Sequence, residues 1–334
     1  MSCVPFRRTA AIGLLCLILT GCSAEPPARP APSAPSAPSA PSAPSTPANA
    51  RPTAPSAQTA PPASRSQEEA VLVGAGDIAT CDGSADSRTA ALLDSTPGMV
   101  FTLGDNAYGS GNRQEFARCY GPTWGRVKAR TRPVIGNHEY LTRGAAGYFD
   151  YFGASAGPRG KGYYSYDAGA WHVVVLNSNC GTVPGGCRTG SPQQRWLRAD
   201  LAASRARCTV AMMHHPLFTS SATHPPATET RPLVRTLTDA GVELLLAGHN
   251  HVYERFAPQD ADGRADPDRG IRAFVVGTGG GPLYPFGRPT ANSQVRDNHT
   301  YGVLRLTLEP TGYRWAFLPA AGGDFTDAGS GQCH

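Results

Sequence analysis

Five short apolar runs between residues 70 and 251 each end in Asp, Asn or His, and this recurrence restricts the fold more than any other feature of the chain. They are "AVLVGAGD" ending at Asp77, "GMVFTLGDN" at Asp105 and Asn106, "TRPVIGNHE" at Asn137 and His138, "CTVAMMHHP" at His214 and His215, and "VELLLAGHNH" at His249 and His251. Runs this short and this rich in Val, Leu and Ile fit strands buried on both faces, as in a sheet covered by helices. Between them lie the helix-compatible stretches "SADSRTAALLDS", "SPQQRWLRADLAAS" and "ETRPLVRTLTDAG". The second opens with Ser191 as N-cap and Pro192 at the first helical position. Strand and helix alternate, so the class is α/β. Ligands in such folds bind at the carboxyl ends of the strands, where the loops converge. The five polar endings are therefore expected to meet.

The first part of the chain reads differently. Arg7 and Arg8 precede "TAAIGLLCLILT", which is short for a membrane span and closely followed by Cys22, so residues 1–21 read as a secretory signal peptide. Its end, "LTGC", resembles a bacterial lipobox, which implies a lipidated Cys22 and a membrane tether on the outer face of the cell membrane, or secretion. Residues 22–67 collapse to Ala, Pro and Ser, with "APSAPSAPSAPSAPS" over residues 31–45. With almost no apolar bulk to bury, this segment is expected to form a disordered, extended tether. Residues 68–334 contain no second low-complexity break and are expected to fold as one domain.

Charge and cysteine usage narrow the function classes. Without Arg7 and Arg8 there are 28 basic against 25 acidic side chains, too even a balance to argue for nucleic acid. Nine cysteines less Cys3, Cys16 and Cys22 leave six: Cys81, Cys119, Cys180, Cys187, Cys208 and Cys333. An even number fits an oxidising compartment, and the short "CGTVPGGC" loop suggests a Cys180–Cys187 bond. No C-x-x-C pair supports structural zinc.

The strand-end residues are carboxylates, an amide and imidazoles, a donor set suited to hard or borderline metals rather than soft ones. Asp77, Asp105, Asn137, His214, His249 and His251, with Tyr108 three residues after Asp105, are too many ligands for one ion. A carboxylate can bridge, so two metals about 3.5–4 Å apart are the natural reading. Glycines before Asp77, Asp105, Asn137 and His249 would allow sharp turns and unshielded ligands. His249 and His251 alternate, so on an extended segment both would point the same way.

The ordered set "GD", "GDNAY", "GNHE", "HHP" and "GHNHVYER" resembles the calcineurin-like metallophosphoesterases, and the tyrosine of "GDNAY" with the "YER" tail is most similar to the purple acid phosphatase branch. The resemblance runs from Gly76 to Arg255 and makes residues 68–334 a metallophosphoesterase catalytic domain. It implies an α/β fold, a four-layer α/β/β/α sandwich of two mixed sheets. It also implies that Asp77, Tyr108 and His251 hold ferric iron, that Asp105 bridges, and that Asn137, His214 and His249 hold Fe2+, Zn2+ or Mn2+. The metals would activate a water as nucleophile, His138 would serve the leaving group, and His224 stands where the family places a phosphate-contacting histidine.

One departure bears on this assignment. Many metallophosphoesterases read D-x-H at the first motif, whereas "GDIA" puts Ala79 there; the resemblance to the tyrosine-bearing branch implies that Tyr108 fills the vacancy. The implied substrate is a small phosphate monoester, with a phosphodiesterase or a non-catalytic binding lipoprotein as alternatives. Three further readings are that His215 either points at substrate or packs, with packing preferred, that Glu254 and Arg255 form an ion pair, and that "GTGGG" is a tight turn near the site. The sequence specifies no oligomeric state.

Overall fold

The structure, a computed structural model, describes residues 68–334; the expected signal peptide, lipobox and tether lie outside the described residues. In chain order the elements are β1 (Ala70–Ala75), α1 (Ala85–Ser95), β2 (Met99–Thr102), α2 (Arg113–Glu115), β3 (Thr131–Arg132), α3 (Ala146–Phe152), β4 (Tyr164–Ala168), β5 (Trp171–Val175), α4 (Pro192–Ala203), β6 (Cys208–Met212), α5 (Arg231–Asp239), β7 (Leu244–Ala247), β8 (Tyr253–Phe256), β9 (Arg272–Val276), β10 (Ser293–Asp297), β11 (Gly302–Glu309), β12 (Gly312–Pro319) and β13 (Ala328–Gln332). One sheet has the order β13-β12-β11-β1-β2-β3 and the other β10-β8-β9-β7-β6-β5-β4. Both are mixed: β1, β2 and β3 are parallel, as are β5, β6, β7 and β9, while the strands flanking them run antiparallel.

The continuous apolar runs are explained by burial on both faces of the second sheet. Along each strand successive side chains point to opposite sides. Val173 and Val175, Val210 and Met212, Leu244 and Leu246, and Phe274 and Val276 share a core with Leu72, Val100, Phe101, Leu304, Leu306 and Phe317 of the first sheet. Their neighbours Val174, Ala211, Leu245 and Val275 share a second core with Leu197 of α4 and Leu233 and Leu237 of α5. Each fully buried Val, Leu, Phe or Met side chain among them contributes roughly 1.5–3 kcal/mol. With α1 against the first sheet, the layers are α/β/β/α.

The five expected strands and three expected helices are present, with two adjustments. β3 is only two residues long because Pro133 follows it, and proline has no N–H for the ladder. The hairpin expected from "YGVLRLTLEPTGYRWAFLP" pairs as β11 with β12, but β11 lies beside β1 inside the sheet and β13 forms its edge. Ser191 caps α4, its hydroxyl accepting from the Gln194 N–H. All six cysteines pair, as Cys81–Cys119, Cys180–Cys187 and Cys208–Cys333. Among the described residues no helix is long and apolar enough to cross a membrane.

Candidate dimetal centre

The loops leaving β1, β2 and β7 bend back on themselves immediately after each strand. Asp77, Asp105 and His249 have φ of 60°, 48° and 68°, left-handed values that cost a non-glycine residue on the order of 1–3 kcal/mol and cluster at functional sites. The loops hold one another in this shape: the Asp77 N–H donates to the Gly104 carbonyl (3.0 Å) and the Ile78 N–H to the Asp105 carbonyl (2.9 Å). Gly104 does make the expected sharp turn, at φ 88°, and a Cβ there would lie 2.3 Å from His214 Nδ1. At Gly136 the requirement is space alone, since a Cβ would lie 2.1 Å from Asp105 Oδ1. The expected extended path of His249 and His251 is not found. β7 ends at Ala247 and the chain bends through residues 248–252, because His249 takes the left-handed conformation while its N–H donates to Asp77 Oδ2 (2.9 Å). Both rings reach the cluster through that bend.

Four donors meet at one point. The Tyr108 hydroxyl lies 3.1 Å from Asp77 Oδ1, 3.3 Å from Asp105 Oδ2 and 2.9 Å from His251 Nε2, and His251 Nε2 lies 3.4 Å from Asp77 Oδ1. Beside them His214 Nε2 is 2.9 Å from Asn137 Oδ1 and 3.4 Å from Asp105 Oδ2. Ligand atoms of Asp77, Asp105 and His214 lie within 4.8 Å of one another, as do those of His214, His215 and His249. Asp105 Oδ2 is common to the Tyr108 group and the His214–Asn137 pair. Oxygen and nitrogen ligands sit about 2.0–2.2 Å from a transition metal, so ligands sharing an ion are about 3.0–3.5 Å apart. The separations here match that spacing, and the O/N donor set fits hard or borderline ions.

The ring orientations and the electrostatics agree. His214 Nδ1 bonds the Leu103 carbonyl (2.6 Å) and His251 Nδ1 the Pro282 carbonyl (2.7 Å), so in both Nε2 faces the cluster and would offer its lone pair once the ring is neutral. Burial, then the charges of Asp77 and Asp105, push the Tyr108 phenol well above its usual range. Burial would raise Asp105, but the charge and hydrogen bond of His214, with the charge of His138, hold it well below the usual carboxylate range. Burial would lower His214, but the charge and hydrogen bond of Asp105 take it up to about 9. Burial, then His214, His215 and His224, keeps His249 neutral. Two buried carboxylates around a phenol make a setting that favours a bound cation.

His138 and His224 both reach the rim. The His138 N–H donates to Asp105 Oδ1 (2.9 Å), and its Nδ1 bonds the Gly109 carbonyl (2.6 Å). That leaves Nε2, 3.9 Å from Asp105 Oδ2, facing the cleft on a ring one-third exposed. His224 stacks on His249 with ring centres 4.3 Å apart, and Asn250 Nδ2 donates to its carbonyl. The glycine turn lies at the site as expected, with the Gly279 N–H on the Gly76 carbonyl and the Gly281 N–H on the Asp77 carbonyl.

Two readings change. Glu254 and Arg255 do not pair, because adjacent residues of β8 point to opposite faces. Glu254 accepts from the Ser220 N–H and Ser293 Oγ, while Arg255 pairs with Asp327 at 2.7 Å. Sequence reasoning also passed over Glu139. Its buried carboxylate accepts the N–H groups of Gly136 (2.7 Å), Asp105 (3.1 Å) and Asn106 (2.7 Å), fastening the Asp105 loop to the Asn137 loop. Burial, then the charge of Asp105, raises it to about 7. Its signal was a second acid beside two suspected site residues in "GNHE".

Comparison with known proteins agrees with this geometry. Purple acid phosphatase 21 of Arabidopsis thaliana is 31% identical over 275 residues, covering 74% of this chain and 58% of that protein. The structure of purple acid phosphatase PPD1 from yellow lupin (Lupinus luteus) seeds superposes with a TM-score of 0.63 at 19% identity, over 79% of this chain and 54% of that one. GAP50, the anchor in the inner membrane complex of Plasmodium, shares the fold at a TM-score of 0.56 and 13% identity, over 78% of this chain and 88% of that one. The chain thus spans little more than half the length of the two purple acid phosphatases. The sequence profile of the calcineurin-like phosphoesterases matches residues 71–253. Its strand-end ligands, two-sheet fold and sequence together place this chain in the calcineurin-like phosphoesterase family, with its similarity directed to the purple acid phosphatases.

Proposed function

We propose that this chain is an exported phosphomonoesterase of purple acid phosphatase type with a dimetal centre. The observation that carries the reading is the Tyr108 hydroxyl set within 3.3 Å of both the Asp77 and Asp105 carboxylates and of His251 Nε2. Asp77, Tyr108 and His251 would hold Fe3+, Asn137, His214 and His249 would hold Fe2+, Zn2+ or Mn2+, and Asp105 would bridge. Two such ions supply positive charge to the phosphate oxygens and lower the pKa of a water.

The protein's own groups do the rest. His138 bonds Gly109 through Nδ1, so Nε2 is the atom that exchanges a proton with the leaving oxygen. His224, stacked on His249, would orient the phosphate beside that ring. Asp105 is shared between both ligand groups and fixes their separation.

We divide the chain into a signal peptide at residues 1–21, a tether at 22–67 and a catalytic domain at 68–334, with Cys22 as the lipidated anchor. Three disulfides support an oxidising compartment. A small phosphate monoester is the proposed substrate.

The test is hydrolysis of an aryl phosphate monoester and its diester by the metal-loaded chain across acid to alkaline pH. Monoester turnover that His138→Ala slows about 10²–10⁴-fold, with both ions retained, supports the reading. A diester preference would favour the phosphodiesterase alternative, and no turnover with iron, zinc or manganese restored would favour a non-catalytic binding protein.

A further inference from the structure

His215 follows a proposed metal ligand, and its surroundings give it a defined hydrogen-bonding state. Ser178, buried at 1% exposure just beyond β5, accepts the backbone N–H groups of His214 (3.1 Å) and His215 (2.8 Å) on its hydroxyl oxygen. A serine hydroxyl has two lone pairs and one hydrogen. With both lone pairs engaged, the hydrogen is the group left to meet His215 Nδ1, 2.9 Å away. Nδ1 is then the acceptor, and the neutral ring carries its proton on Nε2. The opposite tautomer would aim an Nδ1–H at an oxygen whose lone pairs are already in use.

A ring so arranged is a poor metal ligand, because the free nitrogen bears a hydrogen instead of a lone pair. It is nonetheless close to the cluster. The His215 ring centre is 4.4 Å from that of His249 and 4.8 Å from that of His214, and the ligand-type atoms of the three lie within 4.8 Å of one another. His214 shows the contrast: its Nδ1 faces a carbonyl, so its Nε2 would point a lone pair inward once the ring is neutral.

We propose that His215 is a phosphate-binding residue, with Ser178 setting its tautomer so that Nε2–H is presented to an oxygen of a phosphate group beside His249. The proposal rests on the phosphoester reading above and deepens it. The donor is neutral, so the ring contributes a directed hydrogen bond without adding a charge next to the proposed ions. Ser178 acts through His215 and is a positioning residue.

The experiment measures ion content, thermal stability, inorganic phosphate affinity and aryl phosphate turnover for the metal-loaded chain and for His215→Ala, His215→Gln and Ser178→Ala. The donor role predicts that His215→Ala keeps both ions and binds inorganic phosphate about 10–100-fold more weakly. His215→Gln, whose amide retains a donor, should recover part of the loss, and Ser178→Ala should fall between it and the alanine variant. Loss of an ion from His215→Ala would make His215 a ligand and overturn the proposal. Unchanged phosphate affinity, or no phosphate binding by the wild type, would overturn it as well. Ester hydrolysis by a wild type whose phosphate affinity ignores His215 would sink the donor role and leave the hydrolase reading intact. Phosphate binding through His215 without hydrolysis of any ester would do the reverse.

Discussion

Tyr108 and Glu139 show how differently two side chains can serve the same cluster. The Tyr108 hydroxyl lies among the proposed ligands, while its ring packs edge-on against His138 at 4.6 Å. Tyr108→Phe keeps that ring, so the fold should be unchanged, but one ion should bind at least tenfold more weakly. Metal analysis after dialysis against a graded chelator would read this directly, and full retention of both ions would refute the ligand assignment. Glu139 acts instead on the backbone. Glu139→Gln turns an amide NH2 toward N–H donors and should cost about 2–3 kcal/mol of unfolding free energy, read as a lower denaturant midpoint, by loosening the Asp105 and Asn137 loops together.

At the scale of elements, the site depends on how helices anchor strand ends. α4 is capped by Ser191, and its Gln193 side chain accepts the Asn177 N–H (2.7 Å) and donates to the Asn177 carbonyl (2.9 Å). The helix terminus thus positions the end of β5 just before Ser178. Ser191→Ala should cost about 1 kcal/mol, a drop of roughly 2–4 °C in Tm for a domain of this size. A calorimetric scan showing no change would mean that the cap is replaced by water or by neighbouring groups. Pro133 works in the opposite sense, ending β3 after two residues so that the chain can cross irregularly to Asn137.

Over the whole molecule, titration away from the cluster favours acid. Glu243 is buried, which raises its carboxyl to about 7 although the Thr209 N–H bond opposes the shift. Its unfolded value is lower, so its contribution is present below about 4.5 and is lost as pH rises through about 7. Burial would lower His172, but hydrogen bonds to Asp200 (2.8 Å) and Asp167 (3.0 Å) raise it overall. The stability it adds is present below about 6.5 and is lost as pH rises past its folded value. These two groups should therefore lower stability between pH 5 and pH 8, and Glu243→Gln should remove the Glu243 share of that slope. Urea midpoints of wild type and variant at both pH values would check it, and parallel slopes would rule out Glu243 as a source.

The sequence alone determined the class of fold and the candidate inventory of the centre, because both are written locally. Apolar runs record burial on two faces, and Asp77, Asp105, Asn137, His214, His249 and His251 each stand at the polar end of such a run. β4 and β10 escaped notice because they lie at the edges of the second sheet and lack such runs. Only the tertiary structure decided that Glu139 fastens backbone instead of joining the ligands, that Arg255 pairs with Asp327 instead of Glu254, and that Ser178 sets the tautomer of His215. A residue's type limits which bonds it can make, but the partner that takes each bond is chosen by atoms brought together from distant parts of the chain.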